Sequence, residues 1–204
     1  MSSPSPYHHG HLRAALLETA YRAAAHGGPQ ALVVRDLARA LGVSPAASYH
    51  HFKDREHLVA AVAQRAREAM ATEMITARKL VPENLAPAPR SVRRLAAVGH
   101  AYLDFGRREP ALLRIAFGPC TARPDRPDDP GAWQILVDAL DEVADTGAIE
   151  AAQRPGAELI VWSAVHGLSV LRNDGAVPPD SPTNTDDQIV IRGALSAVGC
   201  HLTD

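Results

Sequence analysis

The chain has 204 residues, 46% hydrophobic and 22% charged, which suits one domain with a small appended one and excludes a large barrel enzyme, a repeat array or a disordered tail. Aromatics are scarce at 4%, so strands have little to build on and an all-α fold is expected. The net charge of −2 excludes a uniformly basic nucleic-acid coat, yet residues 1–80 carry ten Lys/Arg against six Asp/Glu, and residues 81–204 carry eleven against seventeen. A basic N-terminal part joined to an acidic C-terminal part is the asymmetry expected when one end meets a polyanion.

The leader, Met1 to Pro6, lacks the basic-then-apolar layout of a signal peptide. No apolar run reaches the length of about 20 residues that spans a bilayer, so a cytoplasmic protein with no membrane partner is expected. Cys120 and Cys200 lie far apart, without a ligand pattern around them, and predict neither a disulfide framework nor a metal site. No cofactor is expected.

After residues 1–8, read as a flexible leader, Leu12, Leu16, Thr19 and Ala23 recur at helical spacing, and Gly27-Gly28-Pro29 stops that helix. Val34, Leu37, Ala38 and Leu41 give a second helix, closed by Gly42. Ser44 then caps a short third helix from Pro45 to about His51, Pro45 suiting a first position that needs no backbone donor. A long helix follows from Asp54 towards Leu80, with a proline-rich loop from Pro82 to Pro89 after it. Further helices are expected over Arg90–Arg108, Ala111–Phe117, Trp133–Asp145, Pro155–Asn173 and Asp186–Leu202, with a long loop between Gly118 and Gly131.

Residues 34–52 read as helix, Gly-containing turn and short helix, an arrangement that projects the second helix outward to enter a DNA major groove about 12 Å wide. Tyr49, His50 and His51 are hydrogen-bonding and partly aromatic, and Lys53 and Arg55 follow to meet phosphates. The segment from Leu32 to Leu58 carries Gly42-Val43-Ser44, then Tyr49-His50-His51-Phe52, then Arg55-Glu56-His57-Leu58. This pattern resembles the DNA-binding domain of tetracycline-repressor-like (TetR family) regulators, and Tyr7 to Ala20 is similar to the first helix of one branch of that family. The resemblance implies that Ser44, Ala46, Ala47, Tyr49, His50 and His51 face the groove and its phosphates, that Phe52 locks the recognition helix into a small core, that Arg55 holds a phosphate and that Arg35 lies near the backbone. Two departures stand out: Leu32-Val33 replaces the usual Ser or Thr before the second helix, and Ala46-Ala47 replaces a frequent Gly-Thr.

Val161 to Gly175 resembles the Trp-x-x-x-His-Gly element of one TetR-like subgroup through Trp162, His166 and Gly167. Trp162 and His166, four apart, share a helix face. They either line an effector cavity or pack in the core beside a dimer surface, where Gly167 would permit close helix approach. His100, Tyr102, Phe105, Phe117 and Trp133 carry the same two readings.

Ile160, Val161, Ala164, Val165, Leu168 and Leu171 make a wide apolar face, and Gly193, Ala194, Ala197 and Gly199 keep the last helix slim, which suits an isologous four-helix interface. The expected architecture is a three-helix DNA-binding domain over residues 1–55 and a helical regulatory and dimerisation bundle over 56–204. The expected function is that of a homodimeric repressor, released from a near-palindromic double-stranded operator by a small-molecule effector; activation from the same fold is the alternative. A metal-dependent enzyme using His8, His9 and His11, or His50 and His51, is disfavoured, since neither cluster has the paired-His-with-Glu spacing of helical zinc sites.

Overall fold

The computed structural model describes residues 9–118, 131–178 and 183–202, and among these there is no strand. The leader, the loop expected after Gly118 and Cys120 fall wholly or largely outside the described residues. The helices are α1 (His9–Gly27), α2 (Val34–Ala40), α3 (Pro45–His51), α4 (Arg55–Lys79), α5 (Pro87–Arg108), α6 (Pro110–Phe117), α7 (Ala132–Asp145), α8 (Ala157–Asn173) and α9 (Thr183–Ala197). No described helix is long and apolar enough to cross a membrane.

Several expected boundaries move, α9 beginning at Thr183 and not at Asp186 and α8 at Ala157 and not at Pro155, and two of the shifts have a clear local reason. Helix α5 starts at Pro87 and not at Arg90, because both Pro87 and Pro89 fit the first turn, where a missing N–H costs nothing; the first helical bond runs from Arg90 N–H to the Ala86 carbonyl at 3.0 Å. Helix α9 ends at Ala197 and not at Leu202. Gly199, at φ +80°, reverses the chain so that Cys200 N–H reaches the Leu195 carbonyl at 2.8 Å, and Cys200 is carried into the core. Burial there pushes the Cys200 thiol up to about 11.

The chain forms two compact units, one of Met1–Ala66 with Ala111–Pro127, the other of Arg67–Pro110 with Asp128–Asp204. The division expected after residue 55 marks the start of α4, whereas the units part within that helix. In the first unit, α1 packs against α2 and α3. Leu16, Leu32, Leu37, Phe52 and Leu58 are all buried there. In the second unit α5 is the central helix, packed against α7, α8 and α9. Tyr102, Leu103 and Phe105 of α5 are each 1% exposed. Gly99 brings α9 close: a Cβ at that position would sit 3.4 Å from Ile191 Cδ1.

Two ion clusters tie the second unit together. Glu142 of α7 accepts from Arg78 of α4 and Arg94 of α5, each at 2.7 Å, and Arg94 also donates to Glu83 at 2.6 Å. Asp187, buried at the start of α9, pairs with Arg107 of α5 at 3.1 Å and with Arg172 of α8. Burial works to raise the Glu142 pKa, but hydrogen bonds from Arg94 and Arg78, reinforced by their charge, hold the carboxyl below its ordinary value. A group whose pKa is lowered on folding contributes stability above its unfolded value and loses it as pH falls through the folded one. Urea unfolding of Glu142→Gln should therefore show lower stability than the parent at pH 7, by about 1–3 kcal/mol, with the difference shrinking as pH drops below 4.5.

Candidate nucleic-acid interface and effector site

The turn between α2 and α3 is set by Gly42. At φ +68° it adopts the left-handed conformation that ends α2, and Val43 N–H then bonds to the Ala38 carbonyl at 3.0 Å. Ser44, extended at φ −68° and ψ 143°, begins α3, its Oγ accepting from Ala47 N–H at 3.2 Å. The Ser44 hydroxyl expected at the groove thus first serves as the helix cap. Val33 stands at the cap position ahead of α2 and makes no side-chain cap, the consequence of Leu32-Val33 replacing the hydroxyl residue that the resemblance leads one to expect there.

Helix α3 presents Tyr49, 47% exposed, with Pro45, Ala46 and His50 also exposed; Ala47 and His51 are half-buried. The His50 and His51 rings meet edge to face at 5.6 Å. Beneath them Phe52 is 2% exposed, with the Arg13 guanidinium 5.3 Å from its ring centroid. Arg35, in the first turn of α2, and Lys53, just after α3, are exposed and have no partner among the described residues. Arg55, expected to hold a phosphate, donates through Nη2 to the Pro29 carbonyl at 2.5 Å and so ties the turn before α2 to the start of α4. Its other N–H groups extend the same guanidinium fork. Asp54 caps α4, its Oδ1 accepting from His57 N–H at 2.9 Å, and that bond, with the His57 ring beside it, lowers the Asp54 pKa.

Of the effector-pocket candidates, Trp133, Trp162 and His166 come together. Trp162 stacks on His166 with ring centroids 6.0 Å apart, and Trp133 meets Trp162 edge to face at 5.7 Å. Tyr102 completes the cluster, 5.2 Å from Trp162, with Oη 2.7 Å from His166 Nδ1. Burial raises the Tyr102 pKa and lowers that of His166, so at neutral pH a protonated phenol faces a neutral imidazole, and Tyr102 donates to Nδ1 when the ring proton sits on Nε2. His100 is half-buried and Phe105 buried on α5, and neither makes a ring contact with the cluster; Phe117 belongs to the other compact unit. Beside the cluster, the space bounded by Met74, Val98, Leu136 and Trp162 is about 10 Å³, room for roughly one water. An organic ligand would enter there only if Trp162 or Tyr102 moved.

Several contributors escaped sequence reasoning. Arg13 over Phe52, Arg65 over Tyr21 and Arg55 on the Pro29 carbonyl are contacts between elements with no spacing rule to announce them. Among the described residues, no group of three or more His, Cys, Asp or Glu is arranged to hold a metal ion. His8 and the His9 side chain lie outside the described residues.

Residues 16–62 match the model of bacterial regulatory proteins of the tetR family, and residues 95–191 match the tetracyclin repressor-like C-terminal domain, together most of the chain. The chain belongs to the TetR family. It is accordingly a DNA-binding transcriptional regulator with a helix-turn-helix, α2 and α3, in its N-terminal part. A protein of unknown function from Rhodococcus sp. RHA1 is similar over 96% of this chain and 97% of its own, with 26% identity and a TM-score of 0.74. A TetR variant from Acinetobacter baumannii AYE, solved in complex with minocycline, is similar over 90% of this chain and 92% of its own, with 20% identity and a TM-score of 0.59. A TetR-family regulator from Rhodococcus sp. aligns over 91% and 97%, with 23% identity and a TM-score of 0.56. A search of curated proteins finds no matching sequence.

Ser48, on the inner side of α3, is 0% exposed and its Oγ has no hydrogen-bond partner among the described residues. A buried unpaired hydroxyl costs about 1–3 kcal/mol, whereas the Ser44 cap contributes about 1 kcal/mol. Thermal unfolding should therefore separate the two serines of one short helix: Ser48→Ala raises Tm or leaves it unchanged, and Ser44→Ala lowers it.

Proposed function

We propose that the chain is a homodimeric repressor, released from a near-palindromic operator when a small-molecule effector binds its C-terminal part. Residues 1–55 form the DNA-binding head and residues 56–204 the regulatory and dimerisation body of a cytoplasmic regulator without catalytic activity.

The observation that carries the dimer is the apolar surface left open on α8 and α9. Leu159 and Ile189 are each 61% exposed, Leu171 51% and Ile160 46%, a group larger than the scattered apolar residues of an ordinary surface. Val161, Val165 and Leu168, on the same helix, are buried in the subunit's own core, so the apolar face expected from sequence divides into an inward and an outward half. Cβ atoms added at Gly167 on α8 or Gly193 on α9 would meet nothing within 4 Å. Close helix approach at these glycines is therefore not used within the subunit and is available to a second copy. Two α8 and two α9 helices would give an isologous interface, and a two-fold axis would set the recognition helices about 34 Å apart.

At the head, Tyr49 is the most direct base or phosphate contact, and Arg35 and Lys53 supply charge to backbone phosphates. The aromatic cluster of Tyr102, Trp133, Trp162 and His166 is the effector-responsive element, since a ligand that moves Trp162 must bind the altered state more tightly than the resting one.

Two variants test this reading on operator DNA selected with the purified protein. Tyr49→Ala should weaken operator binding in an electrophoretic shift by about 10- to 100-fold while leaving the dimer intact by sedimentation. Leu171→Glu should sediment as a monomer and lose specific binding. Unchanged binding by Tyr49→Ala would remove Tyr49 from the interface, and a dimeric Leu171→Glu would place the interface elsewhere.

A further inference from the structure

We propose that the groove formed by the end of α4, the loop after it, α5 and α7 is a binding site for a small amphipathic monocarboxylate, for which the Glu83 side chain is the built-in competitor. The groove lies in the second compact unit, shares no lining residue with the aromatic cluster, and has a volume of about 300 Å³. That is the lower end of the range for pockets that hold small organic ligands. Half-buried Ile75 of α4 makes its apolar lining, with Ile135 of α7, only 3% exposed, beneath it; Arg78, Lys79 and Arg94 make its cationic side, and Glu83 and Asp138 the remainder.

Two of the cations are preorganised. Glu142 holds Arg78 and Arg94 through separate oxygens, each at 2.7 Å, so neither side chain needs ordering when an anion arrives. Lys79 is exposed and has no partner among the described residues.

Glu83 shows what this surface accepts. Its two carboxylate oxygens take hydrogen bonds from Arg94 at 2.6 Å and from Arg90 at 3.1 Å, which is carboxylate recognition at the mouth of the groove. The Glu83 side chain is nevertheless 75% exposed, and pairs of that kind contribute about 0–1 kcal/mol. A free carboxylate with an aliphatic tail can replace it, gaining the burial against Ile75 that Glu83 does not make.

The anion is singly charged because the opposite side is acidic. Among the described residues Asp138 pairs with no cation and is bonded only by the Gln134 amide at 2.8 Å, and Glu142 holds the two arginines. A second anionic group would meet both. An amine would meet Arg78, Lys79 and Arg94.

The test is a titration of the full chain, labelled at isoleucine δ1-methyl groups, with sodium octanoate, octylamine or inorganic phosphate, followed by NMR. Octanoate should move the Ile75 and Ile135 methyl resonances saturably, and octylamine and phosphate should not. Glu83→Gln, a change at an exposed side chain, should tighten octanoate binding by up to about fivefold, and Lys79→Gln should weaken it. The proposal is overturned if octanoate leaves both methyls unmoved in the parent and in Glu83→Gln, if phosphate or octylamine shifts them equally, or if Glu83→Gln binds octanoate no better than the parent. The readout is independent of operator binding, so it stands or falls apart from the repressor reading.

Discussion

A seven-residue helix cannot hold itself together in water, because nucleating a helix fixes several residues for one hydrogen bond. Helix α3 has that length and must also leave one side open for DNA, so everything around it in the first unit acts to keep it folded. Gly42 turns the chain tightly out of α2, Pro45 fixes the first φ, Ser44 satisfies an orphan N–H and Phe52 buries the far end beneath Arg13. The bond from Arg55 to the Pro29 carbonyl then holds the turn ahead of α2. The exposure of Tyr49 and His50, which the proposed recognition requires, follows from this constraint: the helix that carries them is stabilised from its ends and its inner face.

The second unit solves a different problem. Its central helix, α5, is buried on most sides, and the sequence supplies charged residues where helices must be joined across distance. Glu142 between Arg78 and Arg94, and Asp187 between Arg107 and Arg172, fix which helices meet and in what register. Partly buried pairs contribute modestly to stability, but breaking one leaves a charge uncompensated. Leu159, Ile160 and Leu171 of α8 and Ile189 of α9 are apolar residues that no described element of the subunit covers fully.

Local signals made the head legible in the sequence. Gly42, Ser44 and Pro45 are adjacent residues whose conformational preferences act over one turn, and Phe52 falls where the TetR pattern places it. Trp162 and His166 were readable as one face because four residues separate them. Their partner Tyr102 was not, being 64 residues from His166, and Arg78 and Arg94 lie 64 and 48 residues from Glu142. Such pairs exist only once helices have docked, and no periodicity encodes them. The late start assigned to α5 has a simpler origin: prolines break helices in the interior but are tolerated in the first turn, and residues 82–89 hold both kinds of position.

The charge division sharpens the functional account. Residues 1–80 carry only four more Lys/Arg than Asp/Glu, too few for one head to bind strongly through counterion release alone. In the proposed dimer, two heads on a two-fold frame would multiply modest contacts, and spacing would then matter as much as sequence. The most direct measurement is the affinity for the selected operator when its half-sites are moved apart by about five base pairs, half a helical turn. A dimer with fixed heads predicts that binding falls to the level of unrelated DNA, with affinity restored when the insertion is a full turn. Equal affinity at all three spacings would show that the heads bind independently and would contradict the account.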